Sequence, residues 1–280
     1  IPVPNDPEQK VWVWLDALPN YVSALGYKDN TEQFQKFWPA DIHLVGKDIQ
    51  RFHTILWPAF LLSAGLPLPK SVYVHGFITV EGEKMSKTVG NVIDPFKLVE
   101  KYGVEPVRYF LLREIPSTED GDFSYKKLEE RYNGDLANGL GNLVSRVATL
   151  IENNMDSELI YDNSNNELGI MNYEDYDKAI KEFRLHDALG EVWKLVAKAN
   201  QYIDEQKPWV QVKENPKEFL ETMTSLVNMI HHISWLLQPF MPETAQKIAE
   251  IFSDDLSNRE VLENYHFKIK KSGALFPRLS

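Results

Sequence analysis

The sequence predicts a mixed α/β unit followed by an all-α one. Over residues 10–113, short β-rich runs alternate with helical patterning, as a parallel sheet with crossover helices requires. From Leu128 onward strand signals largely vanish and apolar residues recur at helical spacing. Between the two, Ile115 to Asp122 reads IPSTEDGD, a linker by its proline, glycine and acidic content. The division is expected there, giving residues 1–116 and 117–280.

The expected strands are KVWVWLDAL, DIHLVGKD and SVYVHGFITV, each bounded by proline, glycine or polar residues. Between the second and third, IQRFHTILWPAFLLSAG has helical spacing and a terminal glycine. Asp94 and Pro95 form an N-cap and first turn, and Gly103 marks the stop. A further helix is expected over Glu105 to Arg113. Leu128, Tyr132, Leu136, Leu140, Leu143, Val147 and Leu150 then mark one long helix. Leu189, Val192, Val196 and Ile203 mark another, ended by Pro208, and Phe219 to Leu237 a third, ended by Pro239. Pro242 and Glu243 open a fourth, so the second part reads as a helix bundle. The Asn-rich insert over 153–177 is expected to be a loose surface loop.

A formal net charge of −11 argues against non-specific nucleic-acid binding, which depends on basic side chains displacing counterions. Any RNA contact must therefore be local. With no cysteine there is neither a disulfide framework nor a thiolate zinc site, and no metal site is expected within the chain. No apolar stretch reaches the roughly 18 residues that a bilayer span needs. A cytoplasmic monomer that touches no membrane is the expectation.

The most informative run is GEKMSKT, Gly82 to Thr88, where a strand meets a glycine turn carrying Lys84 and Lys87. Its glycine spacing is not that of a Walker loop. Flexible lysines after a strand could stabilise charge developing on a leaving pyrophosphate, or simply form a charged surface hairpin. KMSKT followed by GNVIDP and preceded by VHGFI resembles the KMSKS signature of class I aminoacyl-tRNA synthetases, with Thr88 in place of the final serine. The resemblance extends through WLDA, GKDI and the helical tail. It implies the second half of a Rossmann-like catalytic domain joined to a helical anticodon-binding domain.

Within that class, VWVWLDALPNY and GKDIQRFH resemble the methionine enzymes more than those for leucine, isoleucine or valine. The resemblance implies that Trp14, Ala17, Leu18, Tyr21, Asp48, Ile49 and His53 line a methionine pocket. Leu18 stands where some family members have proline. An aromatic pocket suits a polarizable thioether, and polar groups matter because apolar fit discriminates by only about 1–3 kcal/mol per methylene. For ATP, accompanied by Mg2+, the resemblance implies Lys87 and Lys84 as contacts, the two lysines also being the catalytic groups. Gly46, Asp48, His75 and Gly76 would face the nucleotide.

Asn138, Asn142 and Arg146 follow i, i+4, i+8 spacing, apart from the leucine stripe. GNLVSR resembles the element whose asparagine and arginine contact the anticodon, and KPWV puts Trp209 where the family stacks a base. Stacking an unpaired base contributes about 1–3 kcal/mol. The implied partners are methionine, ATP and tRNA(Met).

The HIGH signature of class I is absent from this sequence, and the seven histidines do not supply it. An upstream half bearing it is expected, and the chain alone is expected not to activate methionine. Two rivals stay open: a leucine, isoleucine or valine-type class I synthetase, and a tRNA-binding module without catalysis.

Overall fold

VWVWLDAL, expected as a strand, is helical over Val13–Ala17. Its alternation suggested a strand, but Trp14, Leu18, Tyr21 with Val22, and Leu25 also recur at helical spacing, and that period wins. Leu18 and Val22 sit in a core with Trp38, Trp57 and Leu61, while Val13 and Leu15 face outward. The computed structural model describes residues 2–86, 90–155, 158–160, 173–259, 266–270 and 273–279. They form two units: one of residues up to Phe77 with Thr118–Asp120, the other of Ile78–Ser117 and Gly121 onward.

In the first unit, His43–Gly46 pairs in parallel with Val72–His75, and Gly46 lies opposite His75. His43 and Val45 point inward and Leu44 outward, the two-residue period of a strand. The connecting helix starts as one over-wide turn, Phe52–Leu56, where the Trp57 N–H reaches the Phe52 carbonyl, and continues as Trp57–Ser63. Gly65 ends it at a φ of +70°.

The run SVYVHGFITV divides into Val72–His75 and Ile78–Val80, which belong to different sheets. The break falls at Gly76 and Phe77. A Cβ on Gly76 would lie 2.0 Å from the Glu119 carbonyl oxygen, so only glycine lets the returning Thr118–Asp120 segment pass.

The second unit opens with a three-stranded sheet in which Ile78–Val80 lies between Glu83–Lys84, antiparallel, and Gly121–Phe123, parallel. Asp94 caps helix Pro95–Tyr102 by accepting the Phe96 N–H at 2.9 Å. Val104–Glu114 follows, and Leu98, Tyr102 and Phe110 pack with Val80, Phe123 and Leu128. Glu105, only 6% exposed, accepts the Glu243 N–H at 2.6 Å and the Thr244 N–H at 2.7 Å. It thereby caps helix Pro242–Phe252 from a site remote in sequence.

The long helix expected from Leu128 to Leu150 is continuous over Tyr125–Arg131, Tyr132–Gly141 and Asn142–Asn154. Its middle stretch is over-wide, with the Asn142 N–H bonded to the Ala137 carbonyl. Leu185–Gln206, Pro208–Glu214, Pro216–Leu237 and Pro242–Phe252 complete the bundle around one apolar core. The 153–177 insert is not simply a loop. Glu158–Ile160 pairs with His266–Lys268, and a helix begins at Glu174. Tyr176 and Ala179 give that helix a buried stripe hidden in a polar composition, and the Tyr176 hydroxyl donates to the Leu236 carbonyl at 2.8 Å. Among the described residues, no helix is long and apolar enough to cross a membrane.

Candidate functional site

Two candidate sites lie in the first unit, and the second unit carries a third as well as the root of the lysine turn. Val13–Ala17 and the over-wide turn at Phe52–Leu56 bring aromatic rings together. Trp14 stacks on Phe52 with ring centroids 4.0 Å apart and planes 16° apart, and meets His53 edge-on at 6.1 Å. The Tyr21 hydroxyl lies 2.9 Å from His53 Nε2, and His53 Nδ1 lies 3.0 Å from the Ile49 carbonyl. A carbonyl only accepts, so the proton sits on Nδ1 and Nε2 accepts from Tyr21. These two bonds fix the orientation of the His53 ring.

Beneath this pair, the Trp57 indole donates to His43 Nε2 at 3.2 Å, and the Tyr21 ring rests 4.4 Å from His43. Burial, reinforced by nearby His53, pushes the His43 pKa below the usual histidine value, so it is an uncharged support. Burial also raises the Tyr21 hydroxyl pKa, keeping it a donor. An open cavity of about 410 Å³ runs alongside, lined among others by Tyr21, Leu25, Phe37, Trp38 and His43. Leu18 is 1% exposed and belongs to the core, whereas Ala17 and Asp48 are exposed and Ile49 is half-buried. Phe52, His43 and Trp57 were not foreseen as site residues. Phe52 could have been found from its place next to His53, had the over-wide turn been known.

The second site is the C-terminal edge of the parallel pair, where open α/β sheets bind ligands. It brings Gly46 and His75 side by side, with Asp48 and Gly76 next to them. A Cβ on Gly46 would lie 2.9 Å from Asp48 Oδ1, so glycine lets the carboxylate fold back over the strand end. Lys47 bonds both carboxylate oxygens of Asp120, at 2.9 and 3.1 Å, and its ammonium lies over the Phe77 ring. Asp120 also accepts the Phe77 N–H at 2.8 Å. That N–H, and then Lys47, hold its carboxyl below the ordinary range.

In the second unit, Lys84 ends the hairpin after Glu81 and Gly82, whose φ values of +53° and +79° form a two-residue turn. Lys87 lies outside the described residues. Among the described residues, no cluster of histidine and carboxylate groups has the makings of a metal site.

The third site lies on the bundle. Lys207 ends helix Leu185–Gln206 in a left-handed conformation, so Pro208–Glu214 sets off in a new direction with Trp209 in its first turn, 45% exposed. Arg146 reaches it from the long helix: the guanidinium lies 5.8 Å from the Trp209 ring and 2.7 Å from Asp204. Asn138 and Asn142 are exposed on that helix. Residues 63 positions apart in sequence thus share one surface, where an aromatic face and a cation lie together.

Two family profiles match the chain. The family profile described as tRNA synthetases class I (M) matches residues 1–148, and that described as anticodon binding domain of methionyl tRNA ligase matches 157–273. A methionine–tRNA ligase of Caldanaerobacter subterraneus subsp. tengcongensis is 46% identical over 100% of this chain and 46% of its own length. That of Bacillus subtilis is 40% identical over 100% of this chain and 45% of its own. The structure of Mycobacterium tuberculosis methionyl-tRNA synthetase in complex with methionyl-adenylate superposes with a TM-score of 0.85 at 36% identity, covering 99% of this chain and 58% of that one. The chain spans about half the length of the curated relatives it matches.

Proposed function

We propose, on the premise that the chain belongs to the methionyl-tRNA synthetase family of class I, that it is the carboxy-terminal part of a methionine–tRNA ligase. The full enzyme condenses methionine with ATP, forming methionyl adenylate and releasing pyrophosphate, then passes the methionyl group to the terminal ribose of tRNA(Met). Mg2+ enters with ATP as part of that substrate. Residues 1–116 carry the catalytic contribution and 117–280 the tRNA contribution. The enzyme works as a cytoplasmic monomer.

The aromatic nest with its Tyr21 to His53 hydrogen bond carries this reading. Trp14, Ala17, Ile49 and the Tyr21–His53 pair receive the methionine side chain and Asp48 the amino group, while Leu18, expected among them, is packed in the core behind and backs the pocket without touching the substrate. A soft thioether packs well on ring edges, while the Tyr21 hydroxyl, already donating to His53, turns its lone pairs outward. Gly46, His75 and Gly76 face the nucleotide, and Lys84 with Lys87 neutralises charge on the departing pyrophosphate. On the bundle, Trp209 stacks an anticodon base and Arg146, Asn142 and Asn138 read its edges. The relatives are methionine enzymes, and neither a leucine, isoleucine or valine specificity nor a non-catalytic module is favoured.

Pyrophosphate exchange tests the proposal. The full-length protein should exchange with methionine far faster than with leucine, isoleucine or valine, and a preference for one of those three overturns it. The isolated chain should show essentially no exchange, because the stabilising donors are divided between two halves.

A further inference from the structure

The root of the lysine turn is held from two sides by side chains to which neither the reaction nor the anticodon site gives a part. Asn91 reaches back with both ends of its carboxamide: Oδ1 accepts the Ser86 N–H at 2.8 Å, and Nδ2 donates to the Lys84 carbonyl at 3.2 Å. The two peptide groups flanking Met85 are therefore bound by one planar side chain. Met85 itself packs against the core formed by Val80, Leu98 and their neighbours. On the opposite side, Asp122 Oδ1 accepts the Gly82 N–H and the Thr79 hydroxyl, each at 2.7 Å.

Lys84 thus lies on a short arm fixed at its entry by Asp122 and at its exit by Asn91 and Met85. A lysine has four rotatable bonds and is imprecise on its own, so where its ammonium can reach is set by its backbone. A charge-stabilising group loses much of its effect when displaced by about 1 Å.

We infer that Asn91 is a positioning residue for the ATP step: by holding the backbone on both sides of Met85, it presents Lys84 to the nucleotide phosphates. This rests on the reading of Lys84 as an ATP contact. The chemistry demands the carboxamide. Aspartate is nearly isosteric but has no donor, and it sets a negative charge against the Lys84 carbonyl. Alanine loses both bonds. Glutamine is one methylene too long to keep both distances.

The test is pyrophosphate exchange with the full-length protein, varying ATP and methionine separately, for N91A, N91D and K84A, with thermal unfolding of each. The expected result is a fall of roughly ten-fold or more in kcat/KM for ATP in both Asn91 variants, the scale of one or two lost hydrogen bonds at the transition state. KM for methionine should stay within about two-fold and the unfolding midpoint should move little, because Asn91 is only half-buried and Lys84 beside it is exposed. Normal exchange in N91D beside an impaired K84A would overturn the role of Asn91 and leave the ATP reading standing. Normal exchange in K84A would overturn the ATP reading, and the inference with it. Equal losses for both substrates with a lowered midpoint would make Asn91 structural only, which also overturns the inference.

Discussion

Tyr21 and His53, 32 residues apart in sequence, share a hydrogen bond of 2.9 Å whose direction is set by a third group, the Ile49 carbonyl. With the Nδ1 proton given to that carbonyl, Nε2 of the neutral imidazole is left to accept from the tyrosine hydroxyl. The pair is therefore one preformed polar surface within an aromatic wall. Tyr21→Phe should leave the buried Nε2 without a partner, raising KM for methionine in the full-length enzyme roughly five- to ten-fold, with KM for ATP little changed. Exchange kinetics check this.

Trp209→Ala removes an exposed ring that supports the Arg146 guanidinium. Charging of tRNA should fall by the equivalent of about 1–3 kcal/mol in kcat/KM while adenylate formation is preserved. Equal loss in both half-reactions would assign the ring to packing.

Glu105→Ala should be among the more destabilising single changes. It strips two backbone N–H groups and a hydroxyl at the start of Pro242–Phe252 of a buried charged acceptor. A loss of about 2–4 kcal/mol is expected in urea unfolding, with Glu105→Gln milder because it keeps one acceptor oxygen.

His232 makes stability depend on pH. Burial, and then the neighbouring His231, lower its pKa from 6.5 to about 4. The surrounding groups are Tyr173, which bonds its Nδ1, Arg259 over the Tyr173 ring, and His231 bound to Asp254. The folded form keeps His232 neutral while the unfolded chain takes up the proton, so its contribution is complete above pH 6.5 and lost as the pH falls towards 4. The expected loss across that window is on the order of 3 kcal/mol. His232→Gln should flatten this part of the profile, as urea midpoints at several pH values would show.

Much of the fold could be read from the sequence where one physical rule acted alone. Asp94 with Pro95, Gly103 and the leucine stripe of the long helix are short-range or strictly periodic signals, and each element formed with boundaries close to those expected. VWVWLDAL misled because strand and helix periods overlap in one run, and packing of Leu18 and Val22 chose between them. The break at Gly76 was invisible because its cause, the Glu119 backbone, is 43 residues away. Within the candidate site, motif resemblance drew attention to Tyr21 and His53. Their support by His43 and Trp57 became visible only once the strand and the helix were packed together.

The widened winding over Tyr132–Gly141 has a consequence for chain length. An ordinary α-helix turns about 100° per residue, so a single extra residue normally rotates everything beyond it off its packing face. A stretch whose bonds already skip one position further can absorb that residue as slack, and tighten to ordinary pitch if one is removed. The segment carrying Tyr125–Arg131 and the one carrying Asn142 and Arg146 can thus keep their separate facings when the intervening length varies by one, a tolerance that a uniform helix would not have.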